Sequence, residues 1–158
     1  MLNRLPAHAR IWIYQADREL SPSESEAIQQ QLNSFTGQWT AHTMQLSAAA
    51  EVVENRFVII GVDEQIQSAS GCSIDSSVRL IKALEQTFAV HFFDRLAIAF
   101  EKENRIQTVQ LPNIKTAVNE GVLAANTLVY NNMVSTLAEL QTSWKLPLQD
   151  SWLKRYLN

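Results

Sequence analysis

Apolar side chains recur with two different periods along the chain, which predicts strands interleaved with helices. Residues 10–16 alternate in the manner of a strand with apolar side chains on both faces. A helix is expected from Ser21 to Trp39, because Ser21, Pro22 and Glu24 have the spacing of a capping box with proline at the first helical position. This helix start is the strongest local signal in the sequence.

Two antiparallel strands joined by a turn are expected next, over 44–53 and 57–62. The second carries apolar residues on both faces and is therefore placed at the centre of a sheet. A second helix is expected over 74–88 and a further strand over 96–101. The apolar stripes predicted for the two helices are Ile28, Leu32, Phe35 and Trp39 in the first and Ile74, Val78, Ile81, Leu84 and Phe88 in the second.

Polar positions complete this pattern. In the first helix Gln29, Gln30, Gln31 and Asn33 are expected to face solvent. Beyond residue 101 the predicted elements are an edge strand over 105–111, a short helix ended by Gly121, a strand over 128–130, a helix over 135–144 and one or two helical turns over 151–157.

The order strand, helix, strand, strand, helix, strand over residues 10–101 matches the split βαβ arrangement of ferredoxin-like sandwiches. The predicted fold is therefore α+β, with an antiparallel-rich sheet that carries both long helices on one face. No linker interrupts the chain, so residues 1–158 are expected to form one domain in which 102–158 extend the core as a hairpin and short helices. This topology serves enzymes, ligand-binding regulators and oligomerisation modules alike.

Composition narrows the expected partners and compartment. With 158 residues, of which 46% are hydrophobic, the chain can bury a core without metals or disulfides. A net charge of -3 argues against binding nucleic acid, and no apolar run is long enough to span a membrane. The single cysteine and the lack of a signal-peptide pattern at the start make the cytoplasm the expected compartment.

The candidate ligand site is the loop that precedes the second helix. Its residues are Ser68, Ser70, Gly71, Cys72 and Ser73. With Ser70 or Ser73 as the N-cap, free backbone N–H groups and the helix dipole would favour an anion there. The other interpretation is that serine and glycine only cap the helix and that Cys72 is a small buried hydrophobe.

A thiol-dependent hydrolase or transferase is the alternative function for this loop. Cys72 would be the nucleophile and His42, in Q-W-T-A-H, its base, with Asp63 or Asp75 in support. The same carboxylates would oppose formation of the thiolate, which argues against this chemistry.

No cofactor or metal site is predicted. The chain lacks the G-x-x-x-x-G-K-[ST] loop of P-loop ATPases and the G-x-G-x-x-G of dinucleotide-binding folds. His8, His42 and His91 lie far apart in sequence, and none has a second ligand at metal spacing.

Six strings resemble one family over nearly the whole chain: R-I-W-I-Y-Q, Q-W-T-A-H, N-R-F-V-I-I-G-V-D-E, S-G-C-S-I-D-S-S-V, F-F-D-R-L and S-W-L-K-R. It is a family of short, uncharacterised bacterial proteins that often carry the label "ABC transporter ATPase", which the missing phosphate loop does not support. The resemblance implies a stand-alone bacterial protein and supplies no reaction, cofactor or catalytic residue. The family has glycine and lysine where this chain has Thr43 and Ser76, and losing that lysine weakens an anion site at the Cys72 loop.

The favoured function is therefore a non-catalytic module that binds a small, anionic ligand or a second copy of the chain as a homodimer. Its support is a well-specified core combined with sparse catalytic groups. The relative positions of Cys72 and His42 distinguish this function from the thiol-dependent enzyme.

Overall fold

The computed structural model describes all 158 residues, which fall into two units. The first unit contains Met1–Phe93 and Ser135–Ala138, and the second contains Asp94–Val134 and Glu139–Asn158. The sequence predicted a core over 10–101 with an extension over 102–158. The strand expected over 96–101 lies in the second unit, and the single domain with its core and extension stays a prediction.

A three-stranded antiparallel sheet forms the centre of the first unit. The elements in chain order are a 3₁₀ turn (Leu2–Arg4), β1 (Arg10–Gln15), α1 (Pro22–Gln38), β2 (Thr40–Ala41), β3 (Met44–Gln45), β4 (Ala48–Val53), β5 (Phe57–Val62) and α2 (Gly71–Phe88). The sheet order is β1-β5-β4, and β2 and β3 form a separate small hairpin. The central position predicted for 57–62 is confirmed, and every residue of β5 is buried.

A four-stranded antiparallel sheet lies in the second unit. Its strands are β6 (Ala97–Lys102), β7 (Arg105–Gln110), β8 (Leu128–Tyr130) and β9 (Lys145–Pro147), in the order β7-β6-β8-β9. The other elements of this part of the chain are α3 (Ile114–Asn119), α4 (Leu137–Ser143), which begins within the first unit, and 3₁₀ turns at Leu111–Asn113, Leu148–Asp150 and Trp152–Leu157. Leu153 of the last turn is buried in one cluster with Phe100 and Ile114.

The fold is α+β with antiparallel sheets, as predicted, but the ferredoxin-like arrangement is not confirmed. That arrangement requires the strand over 96–101 to join the sheet of the preceding strands. Here β6 pairs with β7 and β8 in the second sheet. A tight turn at Glu103 and Asn104, both with positive φ, joins β6 to β7 as a hairpin, and the other edge of β6 pairs with β8, which is distant in sequence.

The two long helices pack on the same face of the first sheet. Ile28 and Leu32 of α1 share one buried cluster with Ile81 and Leu84 of α2 and with Ile60 of β5. The prediction that both helices cover one face of an antiparallel sheet is therefore confirmed.

A glycine in β5 lets the N-terminal segment approach the opposite face. Neighbouring residues in a strand point to opposite faces, so Gly61 lies on the face away from α1 and α2. Leu2 and Leu5 are buried, and a Cβ added to Gly61 would lie 3.5 Å from Leu2 Cδ2 and only 2.7 Å from Leu5 Cδ1. The latter distance is shorter than van der Waals contact, so the segment fits because Gly61 has no side chain.

Both outer strands of the first sheet have hydrogen-bonded edges. At the start of β1, Ile11 N–H donates to Ser135 O at 3.0 Å, and the N–H groups of Leu137 and Ala138 donate to Ala9 O and Ala7 O just ahead of the strand. Along β4, Gln29 takes the place of a neighbouring strand: its Nε2 donates to Ala50 O at 3.0 Å, and its Oε1 accepts from Val52 N–H at 2.9 Å. Gln29 is therefore half-buried against the sheet, which corrects the prediction that it faces solvent.

A charged side chain links the start of α1 to the end of α2. Arg18 donates to the two carboxylate oxygens of Glu24 at 2.9 and 2.8 Å and to Phe88 O at 2.6 Å. Glu24 also accepts the N–H of Ser21, which completes the predicted capping box. The hydrogen bond from Arg18, reinforced by the one from Ser21, lowers the pKa of Glu24 from its ordinary value of 4.5 to about 2.

We expect Glu24→Gln to destabilise the protein most above pH 4.5 and progressively less towards pH 2. The folded-state pKa of Glu24 is depressed, so its ionised carboxylate stabilises the fold above pH 4.5, and this contribution is lost as the pH falls through about 2. Urea unfolding of both proteins at about pH 7, about pH 4 and about pH 2.5 measures the difference in free energy. A difference that does not narrow in acid would contradict the prediction.

Candidate functional site

The loop ahead of α2 forms the helix cap that the sequence predicted. Ser70 is the N-cap: its Oγ accepts from Ser73 N–H at 3.1 Å, and Ser73 Oγ accepts from Ser70 N–H at 2.7 Å. Ser73 is buried, whereas Ser68 is exposed and its hydroxyl donates to Glu64 O at 3.5 Å. Two backbone donors that an anion would use are thus already satisfied within the chain.

Carboxylates accept further hydrogen bonds in the same loop. Glu64 Oε2 accepts the N–H of Ala69 at 2.9 Å, and Asp63 Oδ1 accepts another backbone N–H at 3.0 Å. The donors left at the helix start are the N–H groups of Gly71 and Cys72, and both residues are exposed. An anion bound there would be repelled by the nearby carboxylates, which weakens the predicted anion site.

Cys72 and His42 form no hydrogen bond with each other. Cys72 is exposed in the first turn of α2, so its interpretation as a buried hydrophobe is wrong. His42 is exposed in the turn between β2 and β3, with a φ of 51°, and no hydrogen bond links its ring to the thiol. Asp75 is exposed on α2 and forms no hydrogen bond with His42.

Asp63 contacts a different histidine from the one predicted. His8 Nε2 lies 3.0 Å from Asp63 Oδ1, and Asp63 is buried directly after β5. Beside this pair, Arg10 lies 3.5 Å from Glu64 Oε1 and packs over Trp12, 4.6 Å from the ring centroid. The Arg10–Glu64 ion pair links β1 to the loop, and the His8–Asp63 contact links the residues just ahead of β1 to it. No group of three or more His, Cys, Asp and Glu is placed to hold a metal ion.

A cavity of about 400 Å³ that opens to solvent lies at the outer edge of β4. Its walls are the N-terminal segment, the second half of α1 and β4, which contribute Met1, Arg4, Asn33, Thr36, Gly37, Ala49 and Ala50. We call it the edge cavity. Its volume is typical of small-molecule sites, and none of its residues belongs to the Cys72 loop.

Arg4 brings a positive charge to the edge cavity. Its Nη2 donates to Ala48 O at 2.8 Å, and the guanidinium forms no ion pair. No Asp or Glu lines the cavity. Leu2 and Leu5, buried against Gly61, hold the segment that carries Arg4 beside the sheet. The charge of Arg4 is thus positioned by the fold and remains available to a ligand.

The backbone of β4 and the side chain of Asn33 add further donors. In an edge strand, the backbone N–H and C=O groups of alternate residues point towards the neighbouring strand or away from the sheet. The hydrogen bonds at Ala48 O, Ala50 O and Val52 N–H show that the backbone groups of the even-numbered residues of β4 point away from the sheet. Ala50 N–H therefore points towards the cavity. Asn33 Oδ1 accepts from Gln29 Nε2 at 3.0 Å, which leaves the Asn33 NH₂ group free to donate.

Sequence reasoning missed the edge cavity because its residues belong to no motif. Arg4 lies in M-L-N-R-L-P, where no element was predicted. One signal was present: Gly61 interrupts an apolar strand, and a glycine in such a position often marks the close approach of another segment.

None of the helices combines the length and the apolar composition needed to span a lipid bilayer.

Comparison of the chain with protein-family models, with curated proteins and with solved structures finds no match. The resemblance to the family of short bacterial proteins therefore stays a prediction, as do the cytoplasmic location and the homodimer.

Proposed function

We propose that the protein is a non-catalytic module that binds a small anionic ligand in the edge cavity. The observation that carries this proposal is Arg4, a guanidinium without a carboxylate partner at a cavity that contains no Asp or Glu. Arginine in such surroundings favours an anion because its charge and fixed donors are not neutralised by the protein. The Cys72 loop offers less, since Glu64 already occupies one of its donors.

A thiol-dependent enzyme is supported less well than binding. A cysteine nucleophile requires a base or a cationic neighbour that stabilises the thiolate. Cys72 forms no hydrogen bond with His42, and Asp63 is engaged with His8 instead. The exposed thiol is therefore without a hydrogen bond to the base on which the alternative depends.

Amide NMR spectra recorded with a panel of small anions and neutral compounds test the proposed function. We expect anionic compounds to shift the amide signals of Gly37, Ala49 and Ala50, which line the edge cavity. The signals of Gly71 and Cys72 at the start of α2 are expected to stay in place. If no anion shifts the cavity signals, the proposed function is wrong.

Two glycine variants form a matched pair for this test. A Cβ added at Gly37 or at Gly71 meets no heavy atom within 4 Å. Gly37 lines the cavity, so Gly37→Leu is expected to fill it and abolish binding without lowering the melting temperature, because glycine in a helix costs about 0.5–1 kcal/mol relative to alanine. Gly71→Leu is expected to bind normally. If Gly71→Leu abolishes binding and Gly37→Leu does not, the ligand binds at the Cys72 loop and the proposal is wrong.

A further inference from the structure

We infer that the ligand of the edge cavity is a small monocarboxylate, with its acid group held between Arg4 and the outward N–H of Ala50 and a short apolar tail. This inference rests on the binding function proposed above and specifies the chemical class of the ligand. It follows from the hydrogen-bonding groups, the charge and the shape of the cavity wall.

The free hydrogen-bonding groups at the cavity are mainly donors. Arg4 uses Nη2 to bind Ala48 O, and its other N–H groups have no partner. The Asn33 NH₂ group forms no hydrogen bond, and the Asn33 oxygen accepts from Gln29. The Thr36 hydroxyl is committed as a donor to Leu32 O at 3.1 Å. A ligand that satisfies such a wall must supply acceptor oxygens, which a carboxylate does and an amine does not.

The edge of β4 explains why a carboxylate fits better than a lone acceptor. Gln29 already pairs with Ala50 O and Val52 N–H as a neighbouring strand would. Ala50 N–H is the next donor along this edge, beside the point where Arg4 is anchored to Ala48 O. A carboxylate has two oxygens, so one can accept from the guanidinium while the other accepts from Ala50 N–H.

The charge at the cavity favours a singly charged acid. Arg4 is the one cationic side chain that lines it. The amino group of Met1 is not a free second cation, because it lies 3.6 Å from Glu51 Oε1 and donates to Asn3 Oδ1 at 2.9 Å. A phosphate dianion would therefore leave one negative charge without a cationic partner at the cavity.

The rest of the wall is small and apolar. Gly37, Ala49 and Ala50 present hydrogen or methyl surface, and Met1 contributes its thioether side chain. Such a surface gives an alkyl chain a place out of water, and Asn33 is the one free side-chain donor there besides Arg4. The ligand that fits is therefore a short aliphatic acid rather than a polyol or a dicarboxylate.

Titration with pentanoate, monitored by amide NMR spectra, tests the inference, with pentan-1-ol, pentylamine and inorganic phosphate as comparison probes. We expect pentanoate to shift the signals of Gly37 and Ala50 with an affinity at least about tenfold above those of the three comparison probes. Arg4→Gln should weaken pentanoate binding at least about tenfold and leave the affinity for pentan-1-ol unchanged. Lys82→Gln removes the same charge at an exposed position on α2, and it should change the affinity for neither pentanoate nor pentan-1-ol.

The outcomes separate the inference from the proposed function. If phosphate shifts the cavity signals and pentanoate does not, the proposed function stands, but the inference that the ligand is a carboxylate is wrong. If pentan-1-ol binds as tightly as pentanoate, or if Arg4→Gln does not change the affinity for pentanoate, Arg4 does not hold the acid group of the ligand. If none of the probes shifts the cavity signals, both the inference and the function on which it rests fail.

Discussion

Replacement of Trp39 by alanine is expected to lower the free energy of unfolding by about 4 kcal/mol. Trp39 is only 3% exposed at the end of α1, and its indole Nε1–H donates at 2.8 Å to Ser73 O in the first turn of α2. Its ring packs against Phe35 and edge-on against Trp12, with centroids 5.0 and 6.4 Å away. One side chain thus joins both helices to β1, so alanine leaves a void and removes a buried hydrogen bond.

Trp39→Phe separates these two contributions. Phenylalanine keeps most of the aromatic contact with Phe35 and Trp12 but cannot donate to Ser73 O, so we expect a loss of about 1–2 kcal/mol. Urea unfolding of the three proteins at neutral pH measures the losses. A loss below about 1 kcal/mol for Trp39→Ala would show that the two helices do not depend on this contact.

Helix starts and hairpins could be predicted because their causes are local. The capping box at Ser21 and Glu24 is formed by residues three apart, and the turn at Glu54 and Asn55 has the positive φ values of a tight connection. The sheet to which β6 belongs is not a local property. Its alternating pattern fits either sheet, and only pairing with distant segments such as β8 decides between them.

The buried face of α2 shows where periodicity alone misleads. The sequence pattern placed Ile74 and Val78 on that face, but both are half-buried, and the structure buries Ser73 and Ser77 there. The Ser77 hydroxyl donates to Ile74 O at 2.6 Å, so the helix satisfies it without water. Small side chains at the start of α2 also leave room for Trp39 to reach the backbone, a fit that a hydrophobicity pattern does not represent.

The candidate site was harder to predict than the fold because three distant segments build it. The Cys72 loop was the predicted site because its serines, glycine and cysteine lie within six residues of one another in sequence. The edge cavity combines Arg4 with Gly37 and Ala50, and each of these residues is unremarkable in its own segment. Only the pairing of strands and the approach of the N-terminal segment bring them together.

Gly61→Leu is expected to lower the free energy of unfolding by about 2–3 kcal/mol and to abolish ligand binding in the edge cavity. A Cβ at Gly61 would already lie 2.7 Å from Leu5 Cδ1, and a leucine side chain needs the space that Leu2 and Leu5 occupy. The displaced segment carries Arg4, which would lose its anchor at Ala48 O. Urea unfolding and the pentanoate titration measure the two effects on the same protein.

The double variant Gly61→Leu with Leu5→Ala tests whether the collision with Leu5 causes this loss. Shortening Leu5 returns space to the new side chain, so the double variant is expected to be at least about 1 kcal/mol more stable than the sum of the two single losses predicts. Gly71→Leu is the control, because a Cβ there meets no heavy atom within 4 Å, and its stability should change by less than about 0.5 kcal/mol. Strictly additive losses would mean that Gly61 is required for another reason than the approach of the N-terminal segment. The link from this glycine to the position of Arg4, and so to the edge cavity, would then be broken.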